Sequence, residues 1–327
     1  MRLERIECKL LRHAWDISVS PSYIIGCTGP KAVILNRQCQ HIRTIDSLDH
    51  VCKAYVSPDE NQVLLVSTGN RFYVADIASG EVRKVSIRSP FNQNLEGRGC
   101  WSHDGNHICI PVVRSESMNS TLRRYRLDDL SIDAEYLQDE YLIQFLWPLT
   151  KKNGYFMVAR DRKDGHNAFI QMQGEHIDII PLKENTSLIN CYGCCLNAEG
   201  TEIQFGCFEE YYRYSLDGTL IEKKQNPFFC DEQPDSRIHD TINKYALSPS
   251  GKYVFMATNS GFYVLEAESN QLLTHIPEEY GVHNFELLNE NIIAVATLHG
   301  VMIYQIVEKE NKRISEDEIH RAAPIQS

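Results

Sequence analysis

No stretch of the 327-residue chain carries the ~18 consecutive apolar residues that cross a bilayer as a helix. The opening segment, MRLERIECKLLRHAW, interrupts its apolar positions with Glu4 and Glu7, so it has no core of a secretory signal. Cationic residues are also short. Against 44 Asp and Glu there are 33 Lys and Arg, a formal net charge of −11, which excludes a general binder of phosphate backbones. The 11 cysteines are odd in number and irregularly spaced, which is no disulfide framework. They are expected to be reduced thiols that fill small gaps between packed strands, as in a cytoplasmic protein. Chemistry-bearing motifs are missing as well. There is no Gly-x-Ser-x-Gly elbow, no glycine-rich phosphate loop and no His-Glu-x-x-His, so no catalytic residue, cofactor or metal is assigned.

What the chain does have is a rhythm. KYALSPSGKYVFMATNSGFYVLEAESNQLL (244–273) has a near twin in AYVSPDENQVLLVSTGNRFYVADIASGEV (54–82). Both run apolar-Ser-Pro, turn, apolar strand, Gly, then Phe-Tyr-Val and a small-residue turn. ISVSPSYIIGCTGPKAVILN (17–36) is a weaker copy. GCWSHDGNHICIPVV (99–113), YGCCLNAEGTEIQFGC (192–207), FELLNENIIAVATLHGVMIYQIV (285–307) and the irregular 143–172 keep the rhythm without Ser-Pro. The seven units have inner strands starting near Ala14, Cys52, Arg98, Leu142, Asn190, Asn243 and Val282. That spacing, about 40 to 50 residues, is the period of four-stranded blades. Sustained helical periodicity is absent, except for a capping-box pattern at Ser315–Glu318 in the tail.

A small sheet apolar on both faces is stable only between two neighbours, and a ring supplies two to every unit. The last unit has three strands and then runs into EKENKRISEDEIHRAA, too charged for a sheet. Its fourth strand is expected from LERIECKLL (3–11), which would fasten the chain ends together and cover an edge.

The Ser-Pro-x-Gly turn, the apolar strand, the Gly and the Phe-Tyr-Val-x-(Asp/Glu) strand resemble the seven-bladed β-propeller superfamily of WD-repeat and YVTN-like proteins. Asp76 and Glu266 sit where the Asp of a Trp-Asp dipeptide would fall, although the dipeptide itself is absent. The resemblance implies an all-β, seven-bladed β-propeller over residues 1–308, four strands per blade, followed by a charged tail at 309–327. It also implies a typical use, a rigid scaffold for other molecules, but no activity.

In such a fold the loops between second and third strands, and those between blades, gather on one face around the channel mouth. The long ones here are 114–121, 160–167, 86–97 and 225–241. Counting back four residues from the turn Ser aligns Asp16, Lys53, Arg98 and Lys244, with His283 and Asn284 near the seventh equivalent. Together with Arg114, Arg160, Arg162 and Arg237 these would focus positive potential on an acidic peptide segment or a small anion. The alternative is that they pair with nearby carboxylates and rim a water-filled channel. Phe228 and Phe229 are either interface anchors or packing beneath the loop. Cys194 and Cys195 alternate across a strand, which argues against a zinc site with Cys191 and Cys207. The two His of HDGNH (103–107) cross a turn and are expected in solvent.

The leading expectation is a non-enzymatic cytoplasmic scaffold, monomeric within a complex, binding a protein or acidic peptide through its loop face. The competing one is a lactonase-like small-molecule enzyme or sensor that uses the channel mouth. Nucleic acid and membrane are not expected partners.

Overall fold

The computed structural model describes residues 1–307 except 7, 88–90, 94–97, 115, 150–153, 162, 164, 183–192, 198, 207–209 and 227–241. The expected tail helix therefore lies outside the described residues. The chain opens with β1 (Arg2–Ile6) and a single 3₁₀ turn at Lys9–Leu11. β2 (Asp16–Val19), β3 (Tyr23–Cys27), β4 (Ala32–Asn36) and β5 (His41–Ile45) make one antiparallel sheet. β6 (Val51–Val56), β7 (Gln62–Ser67), β8 (Arg71–Asp76) and β9 (Val82–Ser86) make the next.

An eight-stranded sheet follows. It comprises β10 (Phe91–Gln93), β11 (Cys100–Trp101), β12 (His107–Arg114), β13 (Ser120–Arg126), β14 (Ile132–Leu149), β15 (Gly154–Asp161), β16 (Asn167–Gln173) and β17 (His176–Pro181). Then come β18 (Cys194–Leu196), β19 (Glu202–Gly206), β20 (Glu210–Ser215) and β21 (Leu220–Gln225) as a fourth sheet. β22 (Ile242–Leu247), β23 (Tyr253–Thr258), β24 (Gly261–Glu266) and β25 (Leu272–Pro277) form a fifth. The sixth holds β26 (Val282–Asn289), β27 (Ile292–Thr297) and β28 (Gly300–Val307), with β1 as its fourth strand.

The β1 ladder runs from Arg2 opposite Val307 to Ile6 opposite Ile303. The strand is shorter than the expected 3–11, because Leu11 is needed elsewhere. It is fully buried between the first and last sheets, with Ile24, Leu35, Ala296 and Ile303. Two glycines make room for this segment. A Cβ on Gly26 would lie 2.7 Å from Leu11, and one on Gly300 (φ +119°) would lie 1.9 Å from the Arg12 carbonyl oxygen.

The inner strand expected to start near Leu142 is continuous with the strand before it. β14 runs on for 18 residues, pairing Ile132–Tyr136 with β13 and Tyr141–Leu149 with β15. Leu137 and Asp139 take left-handed φ of 52° and 62°, and this double irregularity swings the strand from one ladder to the other. The two halves of the sheet then face each other through Cys109, Leu122, Met157 and Ile170.

Hydrophobic clusters lie between units rather than within them. Ile25 and Ile34 meet Leu65 and Ala75; Val66 and Phe72 meet Trp101 and Ile110; Phe156 and Phe169 meet Phe205 and Tyr214. Tyr211 meets Tyr245, and Phe255 and Phe262 meet Phe285 and Val295. Each such Phe contributes about 1.5–3 kcal/mol of transfer free energy, available only when the neighbouring sheet is in place.

The recurrent Ser-Pro turn has a mechanical basis. The Ser57 hydroxyl accepts the Gln62 N–H at 2.9 Å, and Ser102 accepts His107 N–H at 2.9 Å. Ser248 accepts Tyr253 N–H at 3.1 Å. Where Ser is lost the acceptor survives, since Asn197 Oδ1 takes the Glu202 N–H at 3.0 Å. The side-chain oxygen pins the first residue of the second strand, so the turn keeps one register. Asp76 and Glu266 serve the opposite turns, accepting from Ser79 (2.8 Å) and Ser269 (2.5 Å).

Candidate functional site

Three inner strands carry the same irregularity at the same place. β6 shifts register between Val51 and Lys53, β22 between Ile242 and Lys244, and β26 between Val282 and Asn284. A bulge bends its strand and re-aims the side chain that follows it. Lys53, Lys244 and Asn284 are thus the equivalent positions, while His283 is the bulged residue and points into solvent.

These residues join into a single polar belt. Asp16 on β2 forms an ion pair with Lys53 through Oδ2; its Oδ1 accepts the Ile17 N–H at 2.7 Å and the Asn284 side-chain amide at 2.6 Å. Asn284 in turn accepts from Lys244 Nζ at 3.0 Å. Lys244 spends its other two donors on the Phe285 carbonyl (2.7 Å) and Glu286 Oε1 (2.8 Å). Side chains of Asp16, Lys53 and Lys244 keep 17%, 19% and 12% of their exposure, so solvent screens these pairs less than surface pairs.

The other inner strands are stitched by different chemistry. Trp101 Nε1 donates to the Tyr55 carbonyl at 2.7 Å, and the Cys195 thiol to the Tyr245 carbonyl at 3.1 Å. Cys194 turns the opposite way into the core with Phe205, as strand alternation requires. Arg98 lies over the Phe145 ring, 4.2 Å from its centroid. Arg114 pairs with Asp139 at 3.0 Å, tying the 114–119 loop to the β14 kink. Arg160, next to last in β15, stands opposite Leu142 and Asn167. Arg162, Phe228, Phe229 and Arg237 lie outside the described residues, as do Cys191 and Cys207. Among the described residues no cluster of His, Cys, Asp and Glu is arranged to hold a metal ion. Nor is any described helix long and apolar enough to cross a membrane.

A cavity of about 470 Å³ adjoins the belt, lined by Lys244, Glu286, Arg213, Glu202 and the Ser248–Gly251 turn. Its basic groups are already matched: Arg213 binds Glu202 at 2.7 Å and Glu222 at 3.3 Å, as Lys244 binds Glu286. Burial pushes the thiols nearest the Asp16–Lys53 pair up, Cys52 to about 11 and Cys27 well above its usual value.

Among the described residues, the most exposed large apolar side chains sit in short connections that length alone does not flag. Trp15 (53% exposed) precedes β2, Tyr280 (53%) precedes β26, and Leu298 (60%) caps the β27–β28 turn. Tyr280 meets His299 edge-on with ring centroids 5.0 Å apart. A Cβ on Gly29 would lie 2.9 Å from the Trp15 ring, so the indole is in contact with the β3–β4 turn. All three belong to connections between units or between second and third strands. An apolar residue in an otherwise polar connection was the available sequence signal.

Among the solved structures that share the architecture are two propellers that cover nearly the whole chain. The β-propeller domain of Cps50 (Swd1) from Myceliophteria thermophila matches with TM-score 0.67 and 12% identity, over 90% of this chain and 97% of that one. Hydrazine synthase from Kuenenia stuttgartiensis matches with TM-score 0.68 and 11% identity, over 91% of this chain and 96% of that one. No family model and no curated protein matches the sequence. The chain is therefore a β-propeller. At these identities the likeness carries the fold alone, and one neighbour named for a propeller domain beside another named for an enzyme selects no task.

Proposed function

We propose that this protein is a seven-bladed cytoplasmic scaffold that binds a protein or peptide through its loop face. Counting the eight-stranded sheet as two blades, divided at the β14 kink, gives seven with the five four-stranded sheets. The clusters support a ring, since each joins units adjacent in sequence and one joins the first to the last.

The observation that carries the binding reading is the exposure of Trp15, Tyr280 and Leu298 in the two kinds of connection expected to share one face. Exposed aromatics on a rigid platform are the anchors of protein interfaces. An acidic peptide at the channel mouth has weaker support, because Lys53 and Lys244 already bind carboxylates and capture would have to break those pairs. Arg98 and Arg114 remain candidates for the rim of the interface.

The test is a pull-down of the intact chain from its native host, compared with Trp15→Ala/Leu298→Ala and with Lys53→Glu/Arg98→Glu, all three checked for folding. The expected result is a stoichiometric protein partner lost with the first pair of substitutions. Undiminished recovery of that partner by the Trp15→Ala/Leu298→Ala variant would reject the reading. The 470 Å³ cavity supports a second one, a small-molecule sensor or enzyme. A metabolite retained by the purified chain, and released by Lys244→Met, would decide for that.

A further inference from the structure

The cavity beside the belt favours one sign of charge. It lies at the Ser248–Gly251 turn, at the other end of the fifth sheet from the β23–β24 turn. Three carboxylates, Glu199, Glu202 and Glu286, share its wall with two cations, Arg213 and Lys244. Neither cation is available to an incoming anion. Lys244 commits its three ammonium donors to Asn284, the Phe285 carbonyl and Glu286. Arg213 lies between two carboxylates, donating through Nε and Nη2 to Glu202 and through Nη1 to Glu222. Oxygens of the acids remain open. Glu199 is exposed and has no hydrogen-bond or ion-pair partner among the described residues. Glu286 is engaged through Oε1 and Glu202 through Oε2, which leaves one oxygen on each.

A buried amide adds a second, different feature. Gln204 lines the cavity and is only 2% exposed. Its Oε1 accepts the Leu247 N–H at 3.0 Å, which fixes which end of the amide is which. The Nε2 group has no acceptor among the described residues, so its donors are open to a ligand oxygen. A donor withdrawn from bulk water without an acceptor is unfavourable, and a ligand that supplies one relieves that cost. Leu196, Leu247 and Leu287 give the rest of the wall an apolar surface. At 470 Å³ the space falls within the ~300–1,000 Å³ of small-molecule sites.

We propose that this cavity binds a small organic cation with an ammonium group at one end of an aliphatic chain and an uncharged carbonyl at the other. The proposal rests on the cavity as a binding site, the second of the two readings above, and adds the sign and the functional groups of its ligand. The ammonium group donates to the open oxygens of Glu199 and Glu286, exchanging its hydration for charge-assisted hydrogen bonds. The Gln204 amide donates to the carbonyl, and the chain between them lies against the leucines. A carboxylate in place of the carbonyl would enter a wall whose acids outnumber its cations, with both cations already taken.

The experiment is titration calorimetry of the intact chain with ω-amino amides, from 3-aminopropanamide to 6-aminohexanamide, beside hexylamine, hexanamide and hexanoate. At least one amino amide should bind more tightly than hexylamine, and neither hexanamide nor hexanoate should bind. Glu199→Gln should weaken the amino amide about tenfold, the worth of a charge-assisted hydrogen bond. Gln204→Glu keeps an oxygen for the Leu247 N–H and removes the donors, so the margin over hexylamine should vanish. If that variant folds poorly, Glu199→Gln decides, since the side chain it alters is exposed and makes no contact that folding needs. Amino amide binding undiminished in Glu199→Gln, or hexylamine binding as tightly as every amino amide, would overturn the proposal. Hexanoate binding that Lys244→Met abolishes would overturn it too, while leaving the cavity as a site for another ligand. Silence from all the probes would remove the proposal and the cavity reading together.

Discussion

Asn284 donates its side-chain amide to Asp16 at 2.6 Å, although 268 residues separate them in sequence. The bond joins the inner strand of the first sheet to that of the last, so it exists only where the two chain ends meet. Asp16 also neutralises Lys53 on the second sheet. One carboxylate therefore bonds to three elements.

Asp16→Ala should accordingly cost about 2–4 kcal/mol, because Asn284, 7% exposed, loses an acceptor and Lys53 its counterion. Adding Lys53→Met should recover about 1 kcal/mol by removing the unpaired charge. Urea unfolding of the two variants measures both. Equal stability of Asp16→Ala and the native chain would mean that the belt is decorative.

The closing strand gives a second expectation. Deleting residues 1–6 removes the whole β1 ladder on β28 and bares an edge of apolar character, with Ile303 and Ile306 beside it. Losing several ladder hydrogen bonds should lower stability by about 3 kcal/mol. The open edge should drive concentration-dependent association, visible by light scattering behind size-exclusion chromatography. A truncated chain that stays monomeric with unchanged unfolding would show that the strand closes nothing.

Ser248→Ala tests the turn mechanism. The hydroxyl is buried and accepts the Tyr253 N–H, so its removal takes away that hydrogen bond at a cost of about 1–2 kcal/mol. Ser248→Asn should retain most of the stability, since Asn197 fills the same role in the fourth sheet. Thermal unfolding of both variants, with Ser248→Asn the more stable, is the expected result.

The strand-and-turn grammar was legible because it is local: the apolar runs, the turn Ser and the glycines lie within a few residues of one another. Even the pairing of β1 with β28 could be read, since an unpartnered N-terminal strand and a three-stranded last sheet call for each other. The continuity of β14 was not, because a strand that changes ladder does so with Leu137 and Asp139 in a conformation that neither residue type announces. The belt was half legible. Counting from the turn found Asp16, Lys53 and Lys244, but partner choice depends on which sheets become neighbours. Trp15 and Tyr280 escaped notice through lying in short connections.

The carboxylates of the turns supply a pH dependence whose sign follows from their contacts. The Ser57 hydroxyl, 2.6 Å from Asp59, and the Asn61 donors hold that carboxyl below its usual range. The Ser79 backbone N–H, at 2.6 Å, does the same for Asp76, and the Ser215 hydroxyl with the Thr219 N–H for Asp217. A carboxyl depressed in the folded state stabilises fully above its unfolded pKa, about 4. That contribution fades as pH falls from there through the lower folded values. Unfolding midpoints should therefore be level from neutral pH to about 5 and decline below about 4. Asp59→Asn/Asp76→Asn/Asp217→Asn keeps an acceptor at each turn but removes the titrating group, so its decline in acid should be shallower. A triple variant that tracks the native chain across the acid range would place the acid sensitivity elsewhere and refute this account of the turns.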